Sequence, residues 1–175
     1  MRRRLCLVLT TVLMTIQGLV FADAGKPPVS ISRSVFITGS IEHPATFGVD
    51  QLRQRPMGQI VSLQLTDKNA GTTSTVRGIR LRDLLDEARI VTRDHNTVKK
   101  LAIIAGAADG YKVVFSWSEL FNSPLGDSVL VVFERDGKPL PENEGPMALV
   151  SGKDIKTGPR HVKWLQAIEV RQIAD

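Results

Sequence analysis

The densest chemistry in this chain lies in the stretch "GPMALVSGKDIKTGPRHVKWLQAIEV", Gly145 to Val170. Two apolar runs, "MALV" and "VKWLQAIEV", flank a loop that carries Lys153, Lys156, Arg160 and Lys163, with Asp154 among them and His161 near the end. Glycines at 152 and 158 let backbone N–H groups come close to an anion. The lysines and the arginine add positive charge. That combination could bind an anionic group. A second reading fits the same residues. Val162 and Trp164 alternate with His161 and Lys163, as they would on an edge strand whose polar residues face solvent. Arg160 would then pair with Asp154 and pin the loop shut. The sequence leaves both readings open.

Other reactive groupings carry less. "SGKD" does not make a phosphate loop. Six residues separate Gly145 from Gly152, Asp154 follows the lysine, and the context runs from strand to strand. Ser151 and Lys153 have the types for nucleophile and base, but an exposed turn is expected to leave both solvated. His43, His95 and His161 are far apart, with no metal-ligand spacing. Asp83, Asp86 and Glu87 belong to the polar face of an amphipathic helix, where a solvated role is expected. Asp109 in "ADGY" precedes a glycine, the usual composition of a tight turn. Tyr111 and Trp164 read as core anchors whose polar tips find partners.

The elements that must position these residues are mostly strands. "RSVFITGSI" reads as a strand ending at a glycine. "HPATFGVDQLRQRP" reads as a turn and a short helix stopped by Pro56. "IVSLQLTD" alternates, with Val61, Leu63 and Leu65 on one side, as a half-buried strand does. "KNAGTTSTV" supplies a hairpin turn and a Thr-rich strand. In "IRLRDLLDEARI", Leu81, Leu84, Leu85 and Ala88 share one helical face. "VKKLAIIAGAADGYKVVFS" gives two strands around "GAADG". "SWSELFNSP" gives a short helix that Ser116 or Ser118 could cap. "SVLVVFERDGKPLP" gives a strand entering an Asp-Gly turn. A strand on each side of the basic loop closes the chain. The order lacks regular βαβα alternation, and the expectation is a single α+β domain of strand-rich mixed sheets with short helices.

The N-terminus adds a compartment. "MRRRLCLVLTTVLMTIQGLVFADAG" has three arginines, an apolar run and a small-residue site, the pattern of a secretory signal. Residues 1–24 are expected to be removed after Ala24, 25–34 to form a flexible lead, and the domain to occupy 35–175. The removed segment holds three arginines and one aspartate, so the net charge of +5 falls to +3. That weakens a nucleic-acid role, and the aromatics do not interleave with basic residues as base stacking requires. The single cysteine, Cys6, leaves with the signal, so stability must come from a core and not from a disulfide. No later segment is long and apolar enough to span a membrane. A periplasmic or secreted protein is expected.

The motifs taken in order carry more than any one of them. "VSLQLTD", "VRGIRLRDLLDEA", "AADGYKVVFSWSEL", "VLVVFERDGKPLPENEGPMALVSG" and "GPRHVKWLQAIEV" together resemble the molybdopterin-binding domain of the sulfite-oxidase type, from about Val35 to Val170. The chain looks most like short, exported bacterial members. The resemblance implies a strand-rich α+β fold with a molybdenum–pterin cofactor in a cleft. It implies that the segment matching "GPRHVKWL" contacts the cofactor, with Lys163 at the family's lysine and His161 two residues before it. Lys153 and Arg160 would add charge toward the anionic tail, and Asp109 matches an acidic residue that can reach the cofactor.

The departures point the other way. The resemblance places the family's molybdenum-ligating cysteine at Leu65, or at Thr66 if the register slips, and neither replaces a soft thiolate. Asn143 and Glu144 stand before Pro146 where the family tends to have a histidine, and Ala148 stands where it tends to have an arginine. Glu144 is expected to repel an anionic cofactor. The resulting expectation is an exported protein without molybdenum redox catalysis and with no bound cofactor. Its partner would be a small anionic ligand or a periplasmic or membrane protein. The alternative is a molybdopterin protein, enzyme or carrier, that holds the cofactor without a protein thiolate. A purely structural interaction module is a third class.

Overall fold

The computed structural model describes residues 32–67, 71–92, 94 and 96–173. The signal segment 1–24, most of the lead 25–34, and His95 lie outside the described residues. Among the described residues, ten strands form two sheets and three short α-helices pack with them.

The first sheet runs in the order β2 (Ala45–Gly48), β1 (Ser34–Gly39), β10 (Leu165–Gln172), β5 (Leu101–Ala107), β6 (Lys112–Ser116). β1 and β10 are parallel, and the other pairs are antiparallel. The second sheet is antiparallel. It joins β3 (Val61–Asp67), β4 (Thr72–Arg80), β7 (Val129–Arg135) and the two-residue β8 (Lys138–Pro139), and β9 (Ala148–Ser151) also pairs with β7. The strands flanking the basic loop therefore belong to different sheets. β9 ends in one and β10 begins in the middle of the other, so the loop crosses between them.

Alternation explains the core. On β7, Val129, Val131 and Phe133 join the main cluster with Val35, Ile37, Ile103 and Ile168, while Leu130 and Val132 face a second cluster with Val76, Ala148 and Val150. Both faces of β7 are thus covered, which is why "VLVVF" is a continuous apolar run. α2 (Leu81–Ala88) buries Leu81, Leu84, Leu85 and Ala88 completely, as the helical spacing predicts. Losing one of those leucine side chains would cost about 2–5 kcal/mol. α3 (Trp117–Phe121) starts at Ser116, not Ser118. The Ser116 Oγ accepts from the Glu119 N–H at 3.2 Å, and the Glu119 carboxylate accepts from the Ser116 N–H at 2.7 Å.

Two sequence expectations need correction. "ATFG" is not part of a turn: it pairs antiparallel with β1 as β2, and α1 (Val49–Arg53) follows directly, ending before Pro56. Its pattern was hidden because a four-residue strand has too few positions to show alternation. "HVKW" is not an edge strand. Val162 alone bridges to Leu149, and regular pairing resumes only at Leu165.

Candidate functional site

Three loops meet where the chain crosses between the sheets. The Ala108 N–H, in the β5–β6 turn, donates to the Trp164 carbonyl at 3.0 Å, and the Trp164 N–H donates to the Glu144 carbonyl at 2.8 Å. The Tyr111 hydroxyl donates to the Pro159 carbonyl at 2.6 Å. Trp164 is the pivot and adopts φ 47°. Left-handed backbone is unfavourable for a bulky residue and persists where the surroundings fix it, often at functional positions. Gly145, at φ 80°, packs directly against it: a Cβ there would sit 2.5 Å from the Trp164 Cδ1. The glycine is needed for that approach as well as for its backbone angle.

A charged network lies beneath. The Arg135 guanidinium donates to both Glu144 oxygens, at 3.0 and 2.9 Å, and to the Ser74 Oγ at 2.6 Å. The His161 Nε2 lies 3.2 Å from the Glu144 Oε2. Burial raises the Glu144 carboxyl, but His161 and Arg135 outweigh it and hold it down at about 2. The expectation that Glu144 presents a repelling charge is therefore corrected: its carboxylate is compensated by two internal partners. Ser74 is the cross-strand partner of Leu65, so this network begins one strand away from the position that the resemblance assigns to a metal-ligating cysteine. Arg135 and Ser74 escaped sequence reasoning. Arg135 is the last residue of β7 before an Asp-Gly turn, and no local pattern marks it as aimed toward a glutamate nine residues on.

The predicted site residues divide. Arg160 is taken up internally. It binds both Asp154 oxygens, donates to the Glu119 Oε1 at 3.0 Å, and lies 4.5 Å from the Phe115 ring centroid. The reading in which Arg160 pairs with Asp154 and pins the loop is the one the structure shows. For Asp154, burial raises the carboxyl and the Arg160 guanidinium more than reverses that. Lys153 donates to the Pro124 carbonyl at 2.9 Å. Asp109 accepts from the Tyr111 N–H at 3.0 Å and makes the tight turn its sequence suggests. His161 joins Glu144. Lys163 is half-buried and has no hydrogen-bond or ion-pair partner among the described residues. Lys156, exposed farther along the loop, likewise has no partner among the described residues, and Lys163 is the unpaired cation next to Trp164. Ser151 is not in an exposed turn, since it is the fully buried last residue of β9. Tyr111 is not a core anchor. It is 43% exposed and attached through its hydroxyl.

A metal held by protein sulfur does not fit these residues. Leu65 is half-buried against the second apolar cluster, and the described residues include no cysteine. No group of three or more His, Cys, Asp or Glu side chains among them is placed to hold a metal ion. A pterin phosphate would find Lys163 and the junction's backbone, but not Arg160 or Lys153 as they are now bonded.

The chain is similar to known proteins over most of its length. A family model described as "Oxidoreductase molybdopterin binding domain" matches residues 28–174. Among solved structures, the sulfane dehydrogenase SoxCD from Paracoccus pantotrophus is similar, with a TM-score of 0.61 and 20% identity over 81% of this chain. The match covers 39% of that SoxCD chain, so the present chain spans well under half of its length. No curated protein matches.

Proposed function

The chain belongs to the oxidoreductase molybdopterin-binding domain family, and on that premise we propose that it is an exported member that works without molybdenum redox chemistry, as a ligand- or partner-binding accessory. One observation carries the reading. At the position that the resemblance gives to the family's cysteine stands Leu65, or Thr66 if the register slips, and the polar network that begins at Ser74, the partner of Leu65, is closed by an internal carboxylate, Glu144. A thiolate ligand is absent there, and the Arg135 guanidinium is already paired with Glu144, which His161 also contacts. Recognition would fall to the junction of the three loops, where Lys163 offers an unpaired amine and Trp164, on left-handed backbone, a half-buried side chain. A small anion, or an acidic group on a partner, suits that amine. Export is supported by the basic, apolar and small-residue order of the first 24 residues.

A second reading has one observation behind it. Lys163 matches the family's cofactor lysine and is unpartnered, so a molybdopterin could be held there without a protein thiolate. Bound, that group would supply oxo-transfer or electron-transfer chemistry. This chain's contribution would be limited to holding its anionic tail.

The two readings separate on the molybdenum and pterin content of the protein purified from the periplasm of a host that makes the cofactor. A folded protein free of both supports the accessory reading. Stoichiometric molybdenum or pterin that disappears in Lys163→Ala overturns it in favour of the second.

A further inference from the structure

We propose that a second cavity, walled by none of the three-loop residues, binds a free α-amino acid with a large apolar side chain. The cavity holds about 320 Å³ and is lined by Asp86, Arg89, Ile90, Val98, Trp117 and Phe121 together with Thr92. That volume suits a small molecule. Two features of its wall point to the same ligand.

The apolar part is aromatic. Trp117 and Phe121 stack with centroids 5.2 Å apart and planes 12° from parallel, and both are only partly buried where they pack on the main core. Ile90 and Val98 extend the surface. A flat or branched apolar side chain laid on it would lose water on both sides.

The polar part presents one charge of each sign. Asp86 lies in the last turn of α2 and Arg89 follows as its C-terminal cap, and both line the cavity. They do not pair with each other. Asp83 is matched by Arg80 at 3.4 Å and Glu87 by Arg55, but Asp86 has no ion-pair partner among the described residues. Asp86 is exposed, and partial burial of its carboxyl and then the neighbouring Asp83 raise it above the ordinary value, with Arg82 opposing. The Arg89 Nη1 lies 3.8 Å from the Glu42 Oε2, a contact between exposed side chains that costs little to exchange.

The backbone holds this pair in place. Arg89 adopts φ 53°, at a helix end where glycine or asparagine is usual. Its carbonyl accepts from the Glu42 N–H at 2.7 Å, and Ile90 bridges to Ile41. The surroundings therefore fix an unfavourable conformation at the cavity rim.

A free amino acid satisfies both the apolar and the charged parts of the wall. Its ammonium meets Asp86, its carboxylate meets the Arg89 fork, and its side chain covers Trp117. An amine alone would leave Arg89 unmatched, and a carboxylate alone would leave Asp86 unmatched.

Calorimetric titration of the full chain with L-phenylalanine and L-leucine tests this, against 2-phenylethylamine and 3-phenylpropionate. The expected result is saturable one-to-one binding of an amino acid, with each analogue about tenfold weaker or worse. Asp86→Asn should abolish the preference for the ammonium. Arg89→Asn, which tolerates left-handed backbone, should abolish the preference for the carboxylate while keeping the fold by circular dichroism. Lys163→Ala should change neither. Absence of binding by both amino acids at millimolar concentration overturns the proposal. So does equal binding of the analogues, or binding untouched by both cavity variants.

Discussion

Glu144 receives two hydrogen bonds from one guanidinium, that of Arg135, at 3.0 and 2.9 Å. Both side chains are mostly out of solvent, at 22% exposed for Arg135 and 11% for Glu144. The pair ties the end of β7 to the turn before Gly145, and His161 adds the basic loop to it. An internal carboxylate is thus the centre of a site whose relatives are described by an anionic cofactor. The consequences can be measured.

Glu144→Gln keeps the shape and removes the charge. Its carboxyl sits at about 2 against an ordinary 4.5. A carboxyl depressed on folding contributes stability that is complete above its unfolded value and fades as pH falls toward its folded value. The variant should lose about 3 kcal/mol at pH 7. In urea titrations its deficit against the parent protein should shrink steadily from about pH 4.5 to pH 2. A deficit that stays constant over that range would mean the charge is not the cause.

Gly145→Ala should be costly for a different reason. The residue needs φ 80°, and its Cα faces the Trp164 ring. A loss of about 3 kcal/mol is expected in thermal or chemical unfolding, with Trp164 fluorescence altered in the folded state. A variant within experimental error of the parent would show that the junction can yield.

Arg160→Lys tests the loop clamp. Lysine keeps the charge but cannot serve Asp154, Glu119 and the Phe115 face together. The expected cost is about 2 kcal/mol. Limited proteolysis should then cut between Gly152 and Arg160 faster than in the parent. Unchanged cutting would place the loop's order elsewhere.

Lys163→Ala should be nearly silent in stability, within about 0.5 kcal/mol, because its amine has no partner to lose. It should nonetheless weaken binding of phosphate or a phosphorylated pterin to the full chain. Destabilisation beyond about 1 kcal/mol would give this lysine a structural role instead.

Much of the fold could be read from local pattern. The buried stripe of α2, the alternation of β3 and the Asp136-Gly137 turn each depend on residues a few positions apart, and each stands where the pattern put it; for the cap of α3 the pattern offered Ser116 or Ser118, and the structure uses Ser116. β2 escaped because its pairing with β1 is what makes it a strand. The basic loop was legible as charge and, in one of two readings, as the Arg160–Asp154 pair, but not in its longer-range bonds. Nothing in "SGKDIKTGPRHVKW" tells that Arg160 reaches back to Glu119 or Lys153 to Pro124, while Lys163 reaches nothing.

The sequence by itself determined that the one cysteine is Cys6, and so that neither Leu65 nor Thr66 can supply a thiolate. It also determined the strand-rich class, because periodicity and turn composition are local properties. The tertiary structure decided which of the remaining charges are free. Arg135, Glu144 and His161 come from three separate segments, and their pairing follows from crossing between two sheets. Asp86 and Arg89 stand near each other in the chain, yet Arg89 contacts Glu42 and Asp86 has no ion-pair partner among the described residues. Charge is written residue by residue, but neutralisation depends on distance in space, and only the packed chain sets that distance.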